Sequence, residues 1–221
     1  MLSSLMTAKC VLLSDIDSII YKKSKISNMN QERKLRYDVA YMKMAYAMAE
    51  LSYAVRHKVG SIIVSKEGQV ISQGYNGTPT GTNNRCEYLA NKETGEFIKS
   101  VDELSQSEVE ALYILLRDTP SALEALKTKP EVLHAESNAI TKCAKWMSST
   151  DGATLYVTLS PCIDCAKLII QSGIKRVVFC EEYRKKDEGI RILSNSGITV
   201  QQIVDIDKNP KLITYDDSTE A

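Results

Sequence analysis

Two short motifs combine residue types that bind metal ions. Residues 134–136 read His-Ala-Glu and open one predicted helix, and residues 161–165 read Pro-Cys-Ile-Asp-Cys and open another. Because proline favours the first turn of a helix, Cys162 is expected at a helix N-terminus, where free N–H groups stabilise a thiolate. Cys162 and Cys165 are three residues apart and so share one helix face. Both sulfur atoms can therefore reach the same ion.

One imidazole and two thiolates form a ligand set typical of zinc. Side chains in a first helical turn lean toward the N-terminus, so His134 and Glu136 are expected to meet beyond the end of their helix. Three protein ligands, His134, Cys162 and Cys165, would leave a fourth position open, as in catalytic zinc sites, with Glu136 placed to move protons. The alternative is a structural zinc site, for which the candidate fourth ligands are Cys86, Cys143, Cys180 and His57.

The elements that must position these residues alternate regularly in the second half of the chain. Strands are predicted at 154–159, 176–180 and 199–204, separated by helices at 162–172 and 185–194, after a helix at about 134–147. Strands separated by helices indicate parallel pairing and an α/β layer fold. Upstream, helical spacing begins at Tyr37, and strands are predicted at 59–65 and 69–75. The turn-rich run 76–84 that follows is typical of a ligand-binding loop.

Composition restricts the classes of function. The chain has 221 residues, with 28 basic and 28 acidic side chains. This balance argues against a nucleic-acid-binding protein, which would normally carry a basic excess. No apolar run is long enough to span a membrane, and no signal peptide is evident, so a cytoplasmic protein is expected. In a reducing compartment, its 6 cysteines indicate metal binding or catalysis before disulfides.

The motifs together resemble a known family. A histidine and a glutamate two residues apart, followed by Pro-Cys-x-x-Cys, mark zinc-dependent nucleobase deaminases in general. The Gly-Tyr-Asn-Gly-x-Pro run at 74–79, the Ser-Gly-Ile step at 172–174 and Tyr183 narrow the resemblance. The chain resembles deoxycytidylate deaminases of the cytidine deaminase-like superfamily, their phage members above all. The likeness runs from about 37 to 204, apart from 87–130, and its other matching runs are 58–64, 134–140 and 156–167.

The resemblance implies a fold, a reaction and a set of roles. The fold would be a three-layer α/β/α sandwich with a central mixed five-stranded sheet. One zinc ion per subunit would be held by His134, Cys162 and Cys165, and Glu136 would transfer protons as dCMP is hydrolysed to dUMP and ammonia, supplying dUMP for dTMP synthesis. Asn76 would hold the sugar hydroxyl, and Tyr183 would contact the nucleotide. Each of these two residues has an alternative interpretation. Asn76 would only stabilise the turn of its own loop, and Tyr183 would only lie at the rim of a strand end.

The resemblance also implies regulation and assembly. Family members are often activated by dCTP, inhibited by dTTP and oligomeric, which favours a hexamer here over a dimer or tetramer. The loop 76–86 is the expected effector site, through Asn76, Gly77 and Thr78, although a plain surface loop is the alternative. A second zinc ion, present in some phage relatives, is not expected. For the substrate phosphate the candidate ligands are Arg56, Lys58 and Arg85, each equally well explained as a solvated surface residue.

The domain organisation follows from these motifs. Residues 1–34 are predicted to be an N-terminal appendage of unknown role, 35–204 the zinc-dependent deaminase domain, and 205–221 an acidic and frayed C-terminal tail. The insertion 87–130 is predicted to hold two helices, at 107–117 and 121–127. Three competing functions remain at this point: a deaminase of free nucleosides or bases, an editing deaminase acting on tRNA or single-stranded DNA, and an inactive zinc-stabilised binding module.

Overall fold

A computed structural model describes residues 28–91, 93–119, 124–183 and 186–215. Its helices are α1 (28–49), α2 (Gln106–Asp118), α3 (Ala135–Lys145), α4 (Ile163–Gln171) and α5 (Lys186–Asn195). Its strands are β1 (Gly60–Val64), β2 (Val70–Tyr75), β3 (Glu87–Ala90), β4 (Phe97–Ser100), β5 (Leu126–Thr128), β6 (Thr154–Leu159), β7 (Arg176–Glu181), β8 (Thr199–Val204) and β9 (Lys211–Tyr215).

The central sheet is mixed and contains six strands in the order β2-β1-β6-β7-β8-β9. The predicted parallel pairing is confirmed for β6, β7 and β8. Strand β1 is antiparallel to both of its neighbours, and β9 is antiparallel to β8. The expected five strands become six because residues 211–215 pair with β8, so the prediction of a frayed tail is wrong for this stretch. Leu212 and Tyr215 pack onto the two faces of the sheet, which holds the strand in place.

Helices cover both faces of the sheet, which confirms the predicted three-layer α/β/α arrangement. Helix α1 packs on one face through Met42 and Ala45. Helices α3, α4 and α5 pack on the other face, where the core is built from side chains that alternate along the strands, among them Ile63, Leu155, Val157, Val177, Phe179 and Val200. Strands buried on both faces are expected to be rich in apolar residues, as β1 is at 62–64 and β7 at 177–179.

Helix α1 is tied to the sheet by a buried ion pair. The Nη1 and Nη2 atoms of Arg176 each lie 2.7 Å from one carboxylate oxygen of Asp38. The Tyr156 hydroxyl donates to the same carboxylate over 2.6 Å, and Gln201 Oε1 accepts from Arg176 Nε over 2.8 Å. These four side chains are called the Asp38 network below. A bidentate guanidinium–carboxylate pair of this kind fixes orientation as well as distance.

Helix α1 begins at residue 28, well before Tyr37, where helical spacing was recognised. No glycine or proline interrupts residues 28–49, so nothing in the sequence stops the helix at the predicted boundary at 34. The rest of the predicted appendage lies outside the described residues. Within the described residues, no helix has the length and apolar character needed to cross a membrane.

The segment 87–130 forms a small three-stranded sheet, in the order β4-β3-β5, together with α2. The first predicted helix is confirmed as α2, which starts with a capping box between Ser105 and Glu108. The second predicted helix is wrong, because Leu126–Thr128 is a strand paired with β3 and Leu126 is fully buried there. The predicted residues 121–123 lie outside the described part of the chain. The Lys129 N–H donates to the Cys86 carbonyl, so the two ends of the segment lie together.

Candidate active site

Helix α3 presents its N-terminus to the site, with His134 as its N-cap residue. Its position is set by close packing on β2: a Cβ atom at Gly74 would lie 2.2 Å from the Ala135 carbonyl oxygen. The Ser61 hydroxyl donates to the same carbonyl over 2.8 Å. The Ser72 hydroxyl donates to the Ala139 carbonyl one turn later. Strands β1 and β2 therefore fix the start of α3 and the side chains it carries.

Helix α4 presents its N-terminus to the same point, with Cys162 as its N-cap residue. It follows β6 directly, and the Ser160 N–H donates to the Glu181 carbonyl of β7 over 2.8 Å. Helix α5 packs against this turn so closely that a Cβ atom at Gly189 would lie 2.1 Å from the Pro161 carbonyl oxygen. The cysteine-bearing turn is thus held between the sheet and a neighbouring helix.

The ligand atoms of His134, Cys162 and Cys165 converge as predicted. These atoms all lie within 4.8 Å of one another. His134 Nδ1 is 3.5 Å from Cys162 Sγ and 3.4 Å from Cys165 Sγ. One imidazole nitrogen and two sulfur atoms at these separations suit zinc. Among the residues that the structure describes, the convergent group of potential ligands has these three members, which fits a catalytic site better than a closed structural one.

The three side chains influence one another's protonation. Hydrogen bonding from Cys165, and next from His134, lowers the pKa of the Cys162 thiol to about 4. The hydrogen bond to Cys162 raises the pKa of His134 to about 8. The pKa of Cys165 is raised, chiefly because its thiol donates to Cys162 and because it is buried. One thiolate is therefore stabilised within the protein itself, as a metal ligand requires.

Glu136 supplies a carboxyl group beside the three potential ligands. It lies in the first turn of α3 and is only 3% exposed. Burial raises its pKa, and its carboxyl group is within hydrogen-bonding reach of the Cys165 thiol. A carboxyl whose charged form is disfavoured by burial accepts a proton more readily than an exposed one. Glu136 thus has the burial and the location of a proton-transfer group.

A cavity opens next to this group. Its lining includes His134, Glu136 and Cys162 beside the potential metal site. A concave space with a few convergent polar groups is typical of small-molecule sites. Of the three candidate phosphate ligands, Arg56 lines this cavity, whereas Lys58 and Arg85 line a separate surface depression. The structure therefore singles out Arg56 as the cation beside the cavity.

Asn76 lines the cavity, but its side chain already serves the loop around it. Its Oδ1 accepts from the Val59 N–H over 2.8 Å, and its Nδ2 donates to the His57 carbonyl over 2.8 Å. The Oδ1 atom keeps a second lone pair and the Nδ2 atom keeps a second hydrogen, so the side chain can also bind a ligand. The predicted sugar contact thus stays a prediction, and the loop-forming role exists beside it.

Tyr183 also lines the cavity and is 38% exposed. Its N–H donates to the Ser160 hydroxyl over 2.8 Å, which ties the residue to the turn before Cys162. The side chain therefore stands at the mouth of the cavity near the metal ligands. The predicted contact with a nucleotide stays a prediction.

The suggested effector residues do not offer free backbone donors. The Asn76 N–H donates to the Val59 carbonyl, and the Gly77 N–H to the Leu133 carbonyl. The Thr78 backbone N–H is engaged by the Cys86 sulfur. An effector phosphate at Asn76, Gly77 and Thr78 would have to use other groups, and the site stays a prediction.

Sequence reasoning missed two residues that line the cavity from the segment 87–130. Glu87 and Thr128 are opposite each other in the β3–β5 pair and both contact the cavity. Glu87 is 2% exposed. Its position directly after the loop 76–86 was the available signal, but the burial of one glutamate depends on the fold and is not visible in the sequence.

The site lies at two helix N-termini above the sheet of an α/β/α sandwich. It combines a potential metal centre of catalytic type with a buried carboxyl group and a cavity. These features are typical of a metal-dependent enzyme that acts on small molecules. Comparison with known proteins specifies the class. The profile of the family described as "Cytidine and deoxycytidylate deaminase zinc-binding region" matches residues 35–181, and the chain belongs to this family.

Individual relatives agree with this assignment. The chain is 42% identical over 167 residues to deoxycytidylate deaminase of Enterobacteria phage T4, covering 72% of this chain and 86% of the relative. It is 32% identical over 188 residues to human deoxycytidylate deaminase, covering 82% and 87%. Among solved structures, dCMP deaminase of the cyanophage S-TIM5 in complex with dCMP and dUMP is similar, with 36% identity, a TM-score of 0.54, and coverage of 74% of this chain and 93% of that one.

Proposed function

We propose that this protein hydrolyses dCMP to dUMP and ammonia with one zinc ion per subunit. The choice of dCMP as substrate rests on the similarity to the cyanophage enzyme bound to dCMP and dUMP, at 36% identity over 93% of that chain. The cavity supports this substrate, because its lining includes Arg56 together with His134 and Cys162 of the potential metal site. A guanidinium group is suited to a phosphate, and the metal group to the reacting base.

The chemistry requires water to add to C4 of the pyrimidine and the bond from C4 to the exocyclic nitrogen to break. When bound, zinc supplies a Lewis acid that makes water a better nucleophile at neutral pH. Glu136 would take a proton from the attacking water and deliver it to N3 of the ring. It would then take the second proton from the hydroxyl group now on C4 and pass it to the departing amine, which leaves as ammonia while the C4 carbonyl of dUMP forms. Burial disfavours the charged form of this carboxyl and raises its pKa, which supports a role in accepting and passing on protons.

The remaining contacts follow from the lining of the cavity. Asn76 would bind the sugar hydroxyl with its remaining amide hydrogen or lone pair, and Tyr183 would contact the nucleotide at the mouth. Arg56 would bind the phosphate. Together these groups would orient the base toward Glu136 and exclude misaligned ligands.

Regulation, assembly and location extend this proposal. As expected for the family, dCTP would activate and dTTP would inhibit, through a site that includes Asn76, Gly77 and Thr78 in a homo-oligomer, with a hexamer favoured. The protein would act in the cytoplasm on free nucleotides. The described cysteines are all unpaired thiols, which agrees with a reducing compartment.

The substrate test offers the zinc-loaded protein dCMP, deoxycytidine, cytosine and a tRNA, and measures ammonia release. Turnover of dCMP is expected to exceed that of the other three substrates. Equal turnover of deoxycytidine and dCMP would refute a nucleotide-specific enzyme. The matched control is Glu136→Gln, which keeps the volume of the side chain and should retain zinc while losing about 10²–10⁴ in kcat, the usual contribution of a proton-transfer group.

Regulation has a separate test. The rate as a function of dCMP concentration is expected to be sigmoidal, hyperbolic with dCTP, and depressed by dTTP. Hyperbolic kinetics that respond to neither nucleotide would remove the effector site and leave the proposed reaction intact.

A further inference from the structure

Glu87 is a buried carboxylate in the substrate cavity that the proposed reaction leaves without a role. It lies on β3, within the segment that separates the two halves of the family motifs, and is only 2% exposed. A buried carboxyl group is costly to maintain unless it makes compensating hydrogen bonds. Its partners therefore indicate what it does.

Both identified partners belong to the loop that carries Arg56. Glu87 Oε1 accepts from the Val55 N–H over 2.9 Å and from the Arg56 N–H over 3.2 Å. The residues next to them are also in contact, because Cys86 is buried against Ala54 in a small apolar cluster. The carboxylate thus holds the backbone of Arg56 directly and reaches it from a different part of the chain.

A second side chain holds the same loop from its other end. Asn76 accepts from the Val59 N–H and donates to the His57 carbonyl, each over 2.8 Å. Between these two attachments, Arg56 and His57 line the cavity. The Arg56 Nη1 atom lies 3.5 Å from Thr128 Oγ1, on the strand paired with that of Glu87. The backbone of Arg56 thus contacts β3 and its guanidinium contacts β5, the two paired strands at the ends of the 87–130 segment.

We propose that Glu87 is a positioning residue for the substrate phosphate: it fixes the Val55–Arg56 backbone so that the Arg56 guanidinium is held at the cavity. This inference rests on the proposed function, since it assigns the phosphate to Arg56. Glu87 does not bind the phosphate itself, because a carboxylate and a phosphate repel each other at close range. It acts through Arg56, and it makes the segment 87–130 part of the substrate site.

The experiment measures kcat and KM for dCMP, and kcat/KM for deoxycytidine, in five variants of the zinc-loaded full chain. Glu87→Met keeps the volume and removes the acceptors, Glu87→Asp keeps the charge but shortens the reach, and Glu87→Gln keeps one acceptor oxygen. Arg56→Gln removes the guanidinium, alone and combined with Glu87→Met. Zinc content and circular dichroism identify any variant that does not fold, and Glu87→Asp carries the test if Glu87→Met is one of these.

Glu87→Met and Glu87→Asp are expected to raise the KM for dCMP about tenfold or more with kcat changed little, because lost phosphate binding affects ground and transition states alike. Deoxycytidine, which lacks the phosphate, should be deaminated as efficiently as by the wild type. Glu87→Gln should restore most of the dCMP affinity. In the Arg56→Gln background, Glu87→Met should have little further effect on the KM for dCMP.

Equal losses for dCMP and deoxycytidine would overturn the inference, as would additive effects of the Arg56 and Glu87 substitutions or a failure of Glu87→Gln to rescue. The proposed function is judged separately on the wild type. If the wild type does not prefer dCMP to deoxycytidine, the proposed function fails before any variant is compared. If the preference exists but Glu87→Met leaves it intact, the positioning role alone is refuted.

Discussion

Asp38→Asn should destabilise the protein strongly while leaving its active site intact. The side chains of Asp38 and Arg176 are 2% and 11% exposed, so the substitution leaves a buried guanidinium without its counter-charge. Removing one partner of a buried pair costs about 3–5 kcal/mol. The value here should lie near the lower end, about 3 kcal/mol, because asparagine keeps one acceptor oxygen and Gln201 continues to accept from Arg176.

The assay is urea unfolding of zinc-loaded protein at one protomer concentration, so that metal binding and association contribute equally to both proteins. A loss of 3 kcal/mol corresponds to a fall of roughly 6–12 °C in melting temperature for a chain of this size. The kcat for dCMP, measured well below the transition, should change less than twofold, because the Asp38 network does not line the cavity.

A surface ion pair provides the matched control. Lys43 Nζ and Asp207 Oδ1 lie 3.6 Å apart, with side chains 57% and 81% exposed. Asp207→Asn should cost no more than about 0.5 kcal/mol, because solvent screens exposed pairs. Equal effects of Asp38→Asn and Asp207→Asn would refute the reasoning, since they would show that burial of the pair does not decide its contribution.

Three further predictions concern the site and its surroundings. Gly74→Ala places a Cβ atom 2.2 Å from the Ala135 carbonyl oxygen, so it should lower the free energy of unfolding by about 1–3 kcal/mol. Because the start of α3 is displaced, zinc affinity should also fall in a chelator competition titration. Unchanged affinity would show that the start of α3 tolerates displacement. Removing zinc should lower the free energy of unfolding by about 2.7 kcal/mol relative to protein at a free zinc concentration of 100 Kd, because the ion binds the folded protein, and a melting temperature indifferent to chelation would contradict this. Burial raises the pKa of Glu87, so the unfolded chain loses this proton first as pH rises, and the carboxyl reduces stability above its unfolded pKa of about 4.3. The stability of Glu87→Gln relative to wild type should therefore increase between pH 4 and 7 in urea titrations, and a difference that stays flat or falls would be the contrary result.

The convergence of His134, Cys162 and Cys165 was predictable because local rules determine it. The proline before Cys162 and the spacing to Cys165 predicted the helix start, and the structure has Cys162 as the N-cap residue of α4. Strands β6 and β8 match their predicted bounds, since alternating apolar and β-branched residues end at clear turns.

The errors arise where distant partners decide the conformation. Strand β5 has three residues, and only its pairing with β3 distinguishes it from the helix that its composition predicts. Strand β9 is surrounded by acidic residues and becomes ordered through β8. The roles of Glu87 and Asp38 depend on burial against elements far along the chain, which no local pattern reports.

The joined ends of the segment 87–130 make it a branch with a fixed base. Glu87 and Thr128 belong to the base, where β3 and β5 run side by side. Strand β4 pairs with the other edge of β3 at Tyr88 and Leu89, so the outer part of the segment is attached next to this base. Changes of length or sequence that leave these strand pairings in place would keep the two cavity-lining residues in register, which leaves α2 and its loops free to acquire new contacts.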